Sequence, residues 1–480
     1  MDGMGIAVFL VSSPSGQPQK GSFIMRFLLA ALILIAGGVK ANPVDVLKAG
    51  EWYEVPNSHM SAVDPCPANN CAYTGTNGQQ SVMGAWGGGA FDSKRDRLIC
   101  WGGGHGNYGG NEVYAFSLDS LNWRRLTDPS SIAGYNSSTH GILPDGRPVS
   151  THTYDQLAYM PGRDLMFASS PASWPVADGG DLHSWLFNFS SNTWQLGASV
   201  PGSSSSPYGN AAVCDPVTGH VWYKVVGGSG HLYEYDPAKD SWTDHNGTAQ
   251  SIWLDGITAA VDPVDRIMVA IGEGFFGVWQ LGSSSNILYT TPATTGDASR
   301  VQSSAPGFAW DPVSNVFVSW SGGANVYTLD PKSWQWTVRA PAAGNMVIPT
   351  APQSTGTFGR FQYCSSRNIF VVVNDNAQNV FVYKLDNNAG TAAEIGKTAV
   401  PLDLTVSPNP FRSRTCVSFS NPGRNAEVSI HDVSGRLVKS FKNVETSFVM
   451  FDGGNLTNGL YILKVRIGNE STMRKVLVQK

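Results

Sequence analysis

The 480-residue chain contains little charge. Only 14% of its residues are Asp, Glu, Lys or Arg, and the formal net charge is −4. Globular proteins average about 25% charged residues, and disordered chains combine high charge with few aromatic side chains. Here 11% of the residues are aromatic. The composition therefore excludes a disordered chain, and the lack of a basic excess argues against a nucleic-acid partner.

The sequence also lacks the short motifs of common metal sites. No Cys-x-x-Cys pair is present, which argues against a zinc knuckle, and no His-Glu-x-x-His motif marks a zinc protease. Several histidines fall in loops, but loop spacing alone is too weak a signal to define a set of ligands. The sequence therefore assigns no metal site and identifies no cofactor.

Stretches rich in Ala, Glu, Lys and Leu are missing too, which excludes a coiled coil or a helical bundle. Glycine is abundant instead, with 53 Gly and 28 Pro and no Gly-X-Y period. Glycine and proline at this frequency indicate many turns. Because frequent turns separate short strands, we predict an all-β fold.

One long apolar run lies near the start of the chain. It follows Met25 and Arg26, covers residues 27–36 and precedes small residues up to Ala41. A basic residue, about ten apolar residues and a small-residue cleavage region are typical of a secretory signal peptide. The run is too short for a membrane-spanning helix. We predict that residues 1–41 are a leader whose true start is Met25, with an N-terminal anchor as the alternative.

The six cysteines are compatible with an oxidising compartment. Cys66 and Cys71 lie in a segment rich in Pro and Asn, where they could close a small disulfide. Cys100, Cys214 and Cys364 lie in apolar, strand-like stretches. Cysteine in such a place behaves as a small buried hydrophobic residue, and we interpret these three in that way.

An aromatic pattern recurs along the middle of the chain. In four copies an aromatic residue is followed nine positions later by Trp. The pairs are Tyr114 and Trp123, Trp185 and Trp194, Tyr233 and Trp242, and Tyr327 and Trp336. A weaker copy has Leu288 nine positions after Trp279. Recurrence with a period of roughly 50 residues predicts a repeat architecture, in which each copy is a four-stranded sheet.

This order of residues resembles kelch repeats and the propeller of galactose-oxidase-like proteins, over about residues 48–390. The resemblance implies a ring of sheets, and we predict six blades, with seven as the alternative. The sixth copy runs from Phe358 to Leu385 without a Trp-bearing outer strand, whereas Trp52 lies in a strand-like segment at residues 51–55. We expect this N-terminal strand to complete the last blade, because a closed ring leaves no exposed edges.

The long connections are predicted to gather on one face of the ring. Residues 102–111, 127–152 and 169–184 form such connections, whereas those of the opposite face are short. Five of the nine histidines fall on the long-loop face, beside glycines that let a backbone approach a ligand closely. The predicted ligand-binding residues are His105, Tyr108, Asn111, Glu112, His140, Trp174, His183 and His231.

Four residues on this face have the chemistry needed for proton transfer. His105, His152 and Tyr154 supply a candidate base and acid, and Arg147 supplies a clamp for a carboxylate. Propeller-type polysaccharide lyases use His, Tyr and Arg in this way, although no diagnostic motif aligns. The copper site of galactose oxidase has no residue-by-residue match here. The alternative is a structural role, in which the loop His and Asn cap backbone groups.

The end of the chain has a different composition. Residues 401–480 contain eleven Lys or Arg and six Asp or Glu, whereas residues 42–400 contain eighteen and twenty-nine. This asymmetry indicates two domains with different roles. Alternating apolar residues, such as Val428 and Ile430, predict a small β-sandwich, with an ordinary immunoglobulin-like sandwich as the alternative.

Short motifs in this part resemble the C-terminal sorting domain of type IX (Por) secretion cargo. They are Pro-Asn-Pro-Phe at 408–411, Asp-Val-Ser-Gly-Arg at 432–436, Gly-Leu-Tyr at 459–461 and the basic end of the chain at 475–480. The resemblance implies passage across the inner and then the outer membrane. It also implies the type IX secretion machinery as a partner.

The sequence thus predicts a leader at 1–41, a kelch-like propeller at 42–398 and a sorting domain at 399–480. The predicted protein is extracellular or on the outer cell surface, and association with the outer membrane is compatible with that location. Its predicted function is to bind a glycan or another extracellular ligand on the long-loop face. The alternatives are a polysaccharide-degrading enzyme and an extracellular protein-interaction scaffold.

Overall fold

The computed structural model describes residues 41–136, 141–169, 174–175, 183–201, 208–226, 230–246, 254–282, 285, 287–386, 404–419, 426–433, 436–444, 448–467 and 470–480. The regular secondary structure of these residues is almost all β-strand, with two short helices, α1 (Ser81–Gly84) and α2 (Ser299–Gln302). Short 3-10 helices cover Pro43–Val46, Met60–Val63, Gly78–Gln80 and Phe358–Arg360. Within these residues no helix has the length and apolar character needed to cross a membrane. The predicted signal peptide lies outside the described residues.

The first part of the chain is built from short strands. In chain order they are β1 (Trp52–Val55), β2 (Gly89–Asp92), β3 (Arg97–Cys100), β4 (Tyr114–Ser117), β5 (Asn122–Arg125), β6 (Leu157–Met160), β7 (Leu165–Ala168), β8 (His183–Asn188), β9 (Thr193–Ser199), β10 (Ala211–Cys214), β11 (Val221–Lys224), β12 (Leu232–Asp236), β13 (Ser241–Asp244), β14 (Thr258–Asp262), β15 (Ile267–Gly272), β16 (Phe275–Gln280), β17 (Tyr289–Thr290), β18 (Thr295–Gly296), β19 (Gly307–Asp311), β20 (Val316–Trp320), β21 (Val326–Asp330), β22 (Gln335–Arg339), β23 (Phe361–Cys364), β24 (Ile369–Val372) and β25 (Val380–Tyr383).

Among the described residues these strands form six sheets. The first four sheets are antiparallel meanders, β2–β5, β6–β9, β10–β13 and β14–β17. The fifth is β19–β22 with β18 added in parallel, and the sixth is β23–β25 with β1 as its outer strand. The antiparallel pairing of β1 with β25 confirms that the N-terminal strand completes the last sheet.

The first strand of each sheet lies inside a ring. These inner strands are β2, β6, β10, β14, β19 and β23, and each contacts the next in that cyclic order until β23 contacts β2. Neighbouring sheets cover both faces of an inner strand. All four residues of Leu157–Met160 and all five of Thr258–Asp262 are therefore buried. Outer strands such as Asn122–Arg125 are exposed in part.

Cross-strand pairing explains the nine-residue spacing. In four sheets the outer-strand Trp lies opposite the residue two positions after the aromatic residue of the third strand. The opposed residues are Trp123 and Phe116, Trp194 and Phe187, Trp242 and Tyr235, and Trp336 and Leu329. Directly opposed side chains of this kind stabilise antiparallel pairs. The repeat in the sequence therefore reflects one hairpin geometry used four times.

Aspartates close the short turns that follow four inner strands. Each accepts a hydrogen bond from the backbone N–H two residues further on, which is the geometry of an Asx turn. These aspartates are Asp92, Asp215, Asp262 and Asp311. Because these turns follow the inner strands, they lie at the end of the ring opposite the long loops that precede those strands.

A cavity of about 250 Å³ lies inside the ring, at the end where the short turns gather. Small side chains of the inner strands, such as Ala158 and Ala212, line it. Asp155, just before β6, also lines the cavity and is buried. The Asp155 Oδ2 accepts the backbone N–H of Ala259 at 2.8 Å, and its carbonyl accepts that of Ala212 at 2.7 Å. Asp155 therefore ties three inner segments together across the ring.

Residues 404–480 form two further sheets. Their strands are β26 (Thr405–Ser407), β27 (Arg414–Ser418), β28 (Ala426–Asp432), β29 (Leu437–Val444), β30 (Phe448–Asp452), β31 (Gly459–Ile467) and β32 (Glu470–Val478). One sheet has the order β26–β27–β30 and the other β29–β28–β31–β32. Val428 and Ile430 are fully buried in the shared apolar core, as their alternation predicts. The predicted boundary at 398–399 lies outside the described residues.

Candidate functional site

Six residues occupy equivalent places at the long-loop end of the ring. Each lies three positions before the start of an inner strand. They are Trp86, Tyr154, Tyr208, Asp255, Ser304 and Phe358. Because the inner strands follow one another around the ring, these positions surround its axis. We call this set the axial ring.

Aromatic side chains form one side of the axial ring. The ring of Tyr154 lies 6.4 Å from Trp86, 6.3 Å from Tyr208 and 5.9 Å from Phe358, measured between centroids. Tyr154 and Phe358 are buried, whereas Trp86 and Tyr208 are half-buried. Trp86 and Tyr208 are therefore partly accessible to a ligand.

Acidic and hydroxyl groups form the other side. The Ser304 Oγ donates a hydrogen bond to Glu273 Oε1 at 2.8 Å. Burial and the negative charge of Glu273 raise the pKa of Asp255. Burial, followed by the charge of Asp255, also raises the pKa of Tyr154, which places that carboxylate near the aromatic side. The axial ring thus opposes aromatic surfaces to carboxylates.

Of the described residues other than Gly, Asn and Asp, most with a left-handed backbone lie at this place, whereas Leu121, Arg266 and Trp334 lie at turns elsewhere. Trp86, Tyr154, Ala305 and Phe358 have φ angles between 42° and 49°, and His105 has a φ of 54°. Side chains other than Asn and Asp seldom adopt this left-handed region. Each such residue costs of order 1–3 kcal/mol, and strained residues cluster at functional sites. The strain therefore points to the axial end as the candidate site.

Two histidines lie close to Trp86. His152 stacks on the Trp86 indole with centroids 5.0 Å apart, and the His105 ring lies 5.4 Å from that of His152. The His152 Nε2 lies 3.1 Å from Asn107 Oδ1. Burial, and next the nearby His105, lower the pKa of His152 to about 4. His152 is consequently a neutral imidazole near pH 7, while His105 is exposed.

The structure thus brings three of the four candidate catalytic residues together, since the His152 ring also lies 6.2 Å from that of Tyr154. Arg147 is placed differently. It pairs with Asp145 at 3.4 Å, and its Nη1 donates to the carbonyl of Asp128 at 3.1 Å. These contacts hold the Arg147 guanidinium on the surface of the long loop between β5 and β6.

Tyr108, Asn111 and Glu112 lie beneath the surface. The hydroxyls of Tyr108 and Tyr114 both donate to Glu112 Oε1, and burial raises the pKa of Glu112. The Asn111 side chain bonds to Ser130 and to the backbone of the next long loop. All three predicted ligand-binding residues are at most 1% exposed. They are correspondingly placed to support the loop rather than to reach a ligand.

Trp174 packs on the same loop. A Cβ at Gly109 would lie 2.7 Å from the Trp174 ring, and one at Gly75 would lie 2.8 Å from it. The Trp174 backbone N–H donates to the carbonyl of Ser150 at 2.9 Å. The side chain is half-buried, so only part of its surface is accessible.

The remaining predicted histidines lie on other parts of the long-loop face. His183 is the first residue of β8, in the second sheet. His231 lies just before β12, in the third sheet, where its Nδ1 is 2.9 Å from Asp244 Oδ2. His140 lies outside the described residues. Within the described chain, no group of three or more His, Cys, Asp or Glu side chains is arranged to hold a metal ion.

A disulfide-bonded loop supports the His105 loop. Cys66 and Cys71 form a disulfide, in agreement with their predicted pairing. Shortly after it, the carbonyl of Tyr73 accepts the Gly109 N–H at 2.7 Å, and the Thr76 N–H donates to Gly106 at 3.2 Å. Of the cysteines interpreted as hydrophobic residues, Cys100 and Cys364 are buried and Cys214 is half-buried.

The comparisons with known proteins identify the tail. Residues 405–479 match the family described as the secretion system C-terminal sorting domain. This confirms the predicted sorting domain, which implies export through type IX secretion to the cell surface or the extracellular space. No curated protein matches the chain.

The solved structures that match most of the chain include two bacterial proteins. PorZ, a surface component of the type IX secretion system of Porphyromonas gingivalis, is 13% identical over 82% of this chain, with a TM-score of 0.32. The extracellular domain of the putative hybrid two-component system BT3049 from B. thetaiotaomicron is 9% identical over 90%, with a TM-score of 0.35. The matches span 59% and 58% of the lengths of those chains.

Proposed function

We propose that this exported protein is a six-bladed kelch-type propeller that binds an extracellular saccharide at the axial ring. The cyclic contacts of the inner strands and the aromatic pattern repeated in four sheets support the propeller assignment. The observation that carries the binding proposal is the axial ring itself, where aromatic faces oppose carboxylates at the mouth of the ring.

Saccharides match both sides of the axial ring. Sugar rings present C–H faces that pack on aromatic side chains, here the half-buried Trp86 and Tyr208. Their hydroxyls donate hydrogen bonds to carboxylates, here Asp255 and Glu273. Ligand sites generally combine apolar and aromatic walls with a few convergent polar groups.

The charge of the site narrows the class of saccharide. Asp255 and Glu273 would repel a uronate, and Arg147, the predicted clamp for a carboxylate, is bound to Asp145 and Asp128 instead. Residues 42–400 also carry eleven more acidic than basic residues. We therefore propose a neutral or amine-bearing saccharide rather than an acidic one.

The binding proposal can be tested with the exported chain on an array of neutral, amine-bearing and uronate-containing oligosaccharides. Tyr208→Ala and Asp255→Asn are expected to weaken binding at least tenfold, because each removes one side of the axial ring. Val264→Ala, on an exposed turn at the opposite end, should bind as the wild type does. A preference for uronates, or undiminished binding by both variants, would overturn the proposal.

The second candidate function is polysaccharide cleavage, which the grouping of His105, His152 and Tyr154 favours. Imidazole and phenol are both groups that transfer protons in enzymes, and the rings of His152 and Tyr154 are neighbours. Product analysis of the same saccharides tests it, by following new reducing ends and unsaturated products. Cleavage that is lost in His152→Gln, while binding persists, would establish an enzyme; intact saccharides after prolonged incubation would exclude cleavage of that panel.

A further inference from the structure

A second cavity, of about 680 Å³, opens beside the fourth sheet. The turn between β15 and β16, the segment that follows β17, and α2 enclose it. Its lining includes Gly274, Phe275, Phe276, Tyr289, Thr294 and Gln302. The volume is within the range of about 300–1,000 Å³ that is typical of small-molecule sites.

Aromatic residues of both faces of β16 line the side cavity: Phe275, with Tyr289, packs towards the third sheet, and Phe276 packs towards α2. The rings of Phe275 and Tyr289 lie 6.1 and 5.1 Å from that of the buried Trp279, so the three form a continuous row. Gly277 makes this row possible, since a Cβ there would lie 2.6 Å from the Phe275 ring and 2.9 Å from Trp279. Phe275 and Tyr289 are half-buried, so their rings offer a supported, partly exposed surface.

Polar side chains also line the side cavity. Gln302, at the end of α2, is exposed, and Thr291 and Thr294 contribute hydroxyl groups. An amide and hydroxyls can both donate and accept hydrogen bonds. A lining that combines aromatic rings with uncharged donors and acceptors suits a sugar ring better than it suits an ion.

The side cavity adjoins the axial end through one short turn. Glu273, which bonds to Ser304 of the axial ring, is separated from Phe275 only by Gly274. The N–H groups of Glu273 and Gly274 donate to the carbonyls of residues 303 and 301, which fastens this turn to the segment containing α2. A chain-like ligand at the axial ring would cross Gly274 to reach the side cavity.

We propose that the side cavity is a second saccharide subsite, so that the protein binds an oligosaccharide extending from the axial ring across Gly274. This inference rests on the saccharide binding proposed for the axial ring. It adds a prediction about length, because a ligand of several units contacts both places whereas a single sugar contacts one.

The test measures the affinity of the exported chain for β-1,4-linked glucose and glucosamine oligomers of one to six units. In the wild type, affinity should rise at least tenfold between one unit and four. Phe275→Ala, Tyr289→Ala and Gln302→Ala should abolish most of this gain and leave single-unit affinity unchanged. Leu288→Ala is a matched control, since Leu288 precedes Tyr289, is 65% exposed and does not line the cavity.

The outcomes separate the two proposals. If the length dependence persists unchanged in all three variants, the second subsite is wrong and axial binding stands. If Asp255→Asn binds every oligomer as the wild type does, the axial site is wrong. If the wild type binds neither the glucose nor the glucosamine oligomers, both proposals are wrong. Phe275 and Tyr289 also pack on Trp279, so their substitution can disturb the fold. Because Gln302 is exposed, Gln302→Ala is the variant least expected to misfold.

Discussion

The indole of Trp86 and the imidazole of His152 stack with 30° between their planes. Trp86 leads into the first sheet, and His152 lies in the connection that leads into the second. The stack therefore fixes the entrances of two neighbouring sheets relative to each other. It also buries a titratable ring, which makes the local stability sensitive to acid.

The first prediction concerns that sensitivity. The pKa of His152 is lowered to about 4, below the usual 6.5. Between these pH values the His152 imidazole is therefore protonated in the unfolded chain and neutral in the folded chain. The His152 contribution is present above pH 6.5 and is lost as the pH falls through about 4. Relative to His152→Gln, the wild type should lose up to about 3 kcal/mol over this window. Urea unfolding between pH 4 and 7.5 measures the difference, and parallel pH curves would contradict it.

A second prediction concerns Glu234, whose Oε1 lies 2.7 Å from His220 Nδ1 and whose Oε2 lies 2.8 Å from His245 Nε2. These hydrogen bonds overcome burial and lower the pKa of Glu234 to about 2, and the bond to Glu234 raises the pKa of His220. The Glu234 contribution is present above pH 4.5 and lost towards 2. That of His220 is present below 6.5 and lost as the pH rises through its raised pKa.

Glu234→Gln should therefore destabilise the fold most between pH 4.5 and 6.5, by about 2 kcal/mol. Chemical unfolding at pH 5.5 and at pH 8.5 provides the comparison. A penalty that is equal at both pH values would show that protonated His220 is not stabilised by Glu234.

The third prediction uses two glycines of one loop. A Cβ at Gly109 would lie 2.7 Å from Trp174, whereas one at Gly106 would meet no atom within 4 Å. Gly109→Ala should cost about 1–3 kcal/mol by overpacking. Gly106→Ala should stay within about 0.5 kcal/mol of the wild type. Thermal unfolding of both variants measures the difference. Equal losses of stability would contradict the prediction, because they would mean that Trp174 moves away from a Cβ at position 109 without loss of free energy.

The fourth prediction concerns the disulfide. Replacing Cys66 and Cys71 together with Ser should cost about 2 kcal/mol, the entropy of a very short closed loop. Because the carbonyl of Tyr73 accepts the Gly109 N–H, the Gly109 amide should also exchange faster with solvent. Hydrogen exchange followed residue by residue, with the Phe187 amide of β8 as internal reference, tests this. Unchanged exchange at Gly109 would show that the His105 loop is stable without the disulfide.

Much of the architecture follows from periodicity in the sequence. The Trp at nine-residue spacing depends on hairpin pairing, which is local, so the repeats could be predicted. The pairing of Trp52–Val55 with Val380–Tyr383 could also be predicted, because one sheet lacked an outer strand and one unassigned segment carried a Trp. Residues 408–480 carry enough short motifs in order to identify the sorting domain.

The site was predictable only in part. The grouping of His105, His152 and Tyr154 could be predicted because long loops gather at one end of the ring. Arg147 is close to them in the sequence, but closeness in sequence does not fix the direction of a side chain. The burial of Tyr108 and Glu112 depends on packing by distant segments.

Sequence reasoning missed five of the six axial-ring residues as site residues: Trp86, Tyr208, Asp255, Ser304 and Phe358. A usable signal exists for them, because aligning the repeats on the inner strands places all five at the position of Tyr154. The nine-residue spacing to Trp describes only the third and outer strands, so it does not point to this position.

The partnership of β1 and β25 joins residues that are more than 300 positions apart in the chain. The segment around Trp52 leaves the ribosome long before Val380 has been synthesised. The ring of sheets therefore stays open until nearly all of its strands have been made. Until then β1 has no partner strand, because β25 is its only neighbour in the sixth sheet. Cutting the chain just after β1 would therefore separate the strand that closes the ring from the sheet that it completes.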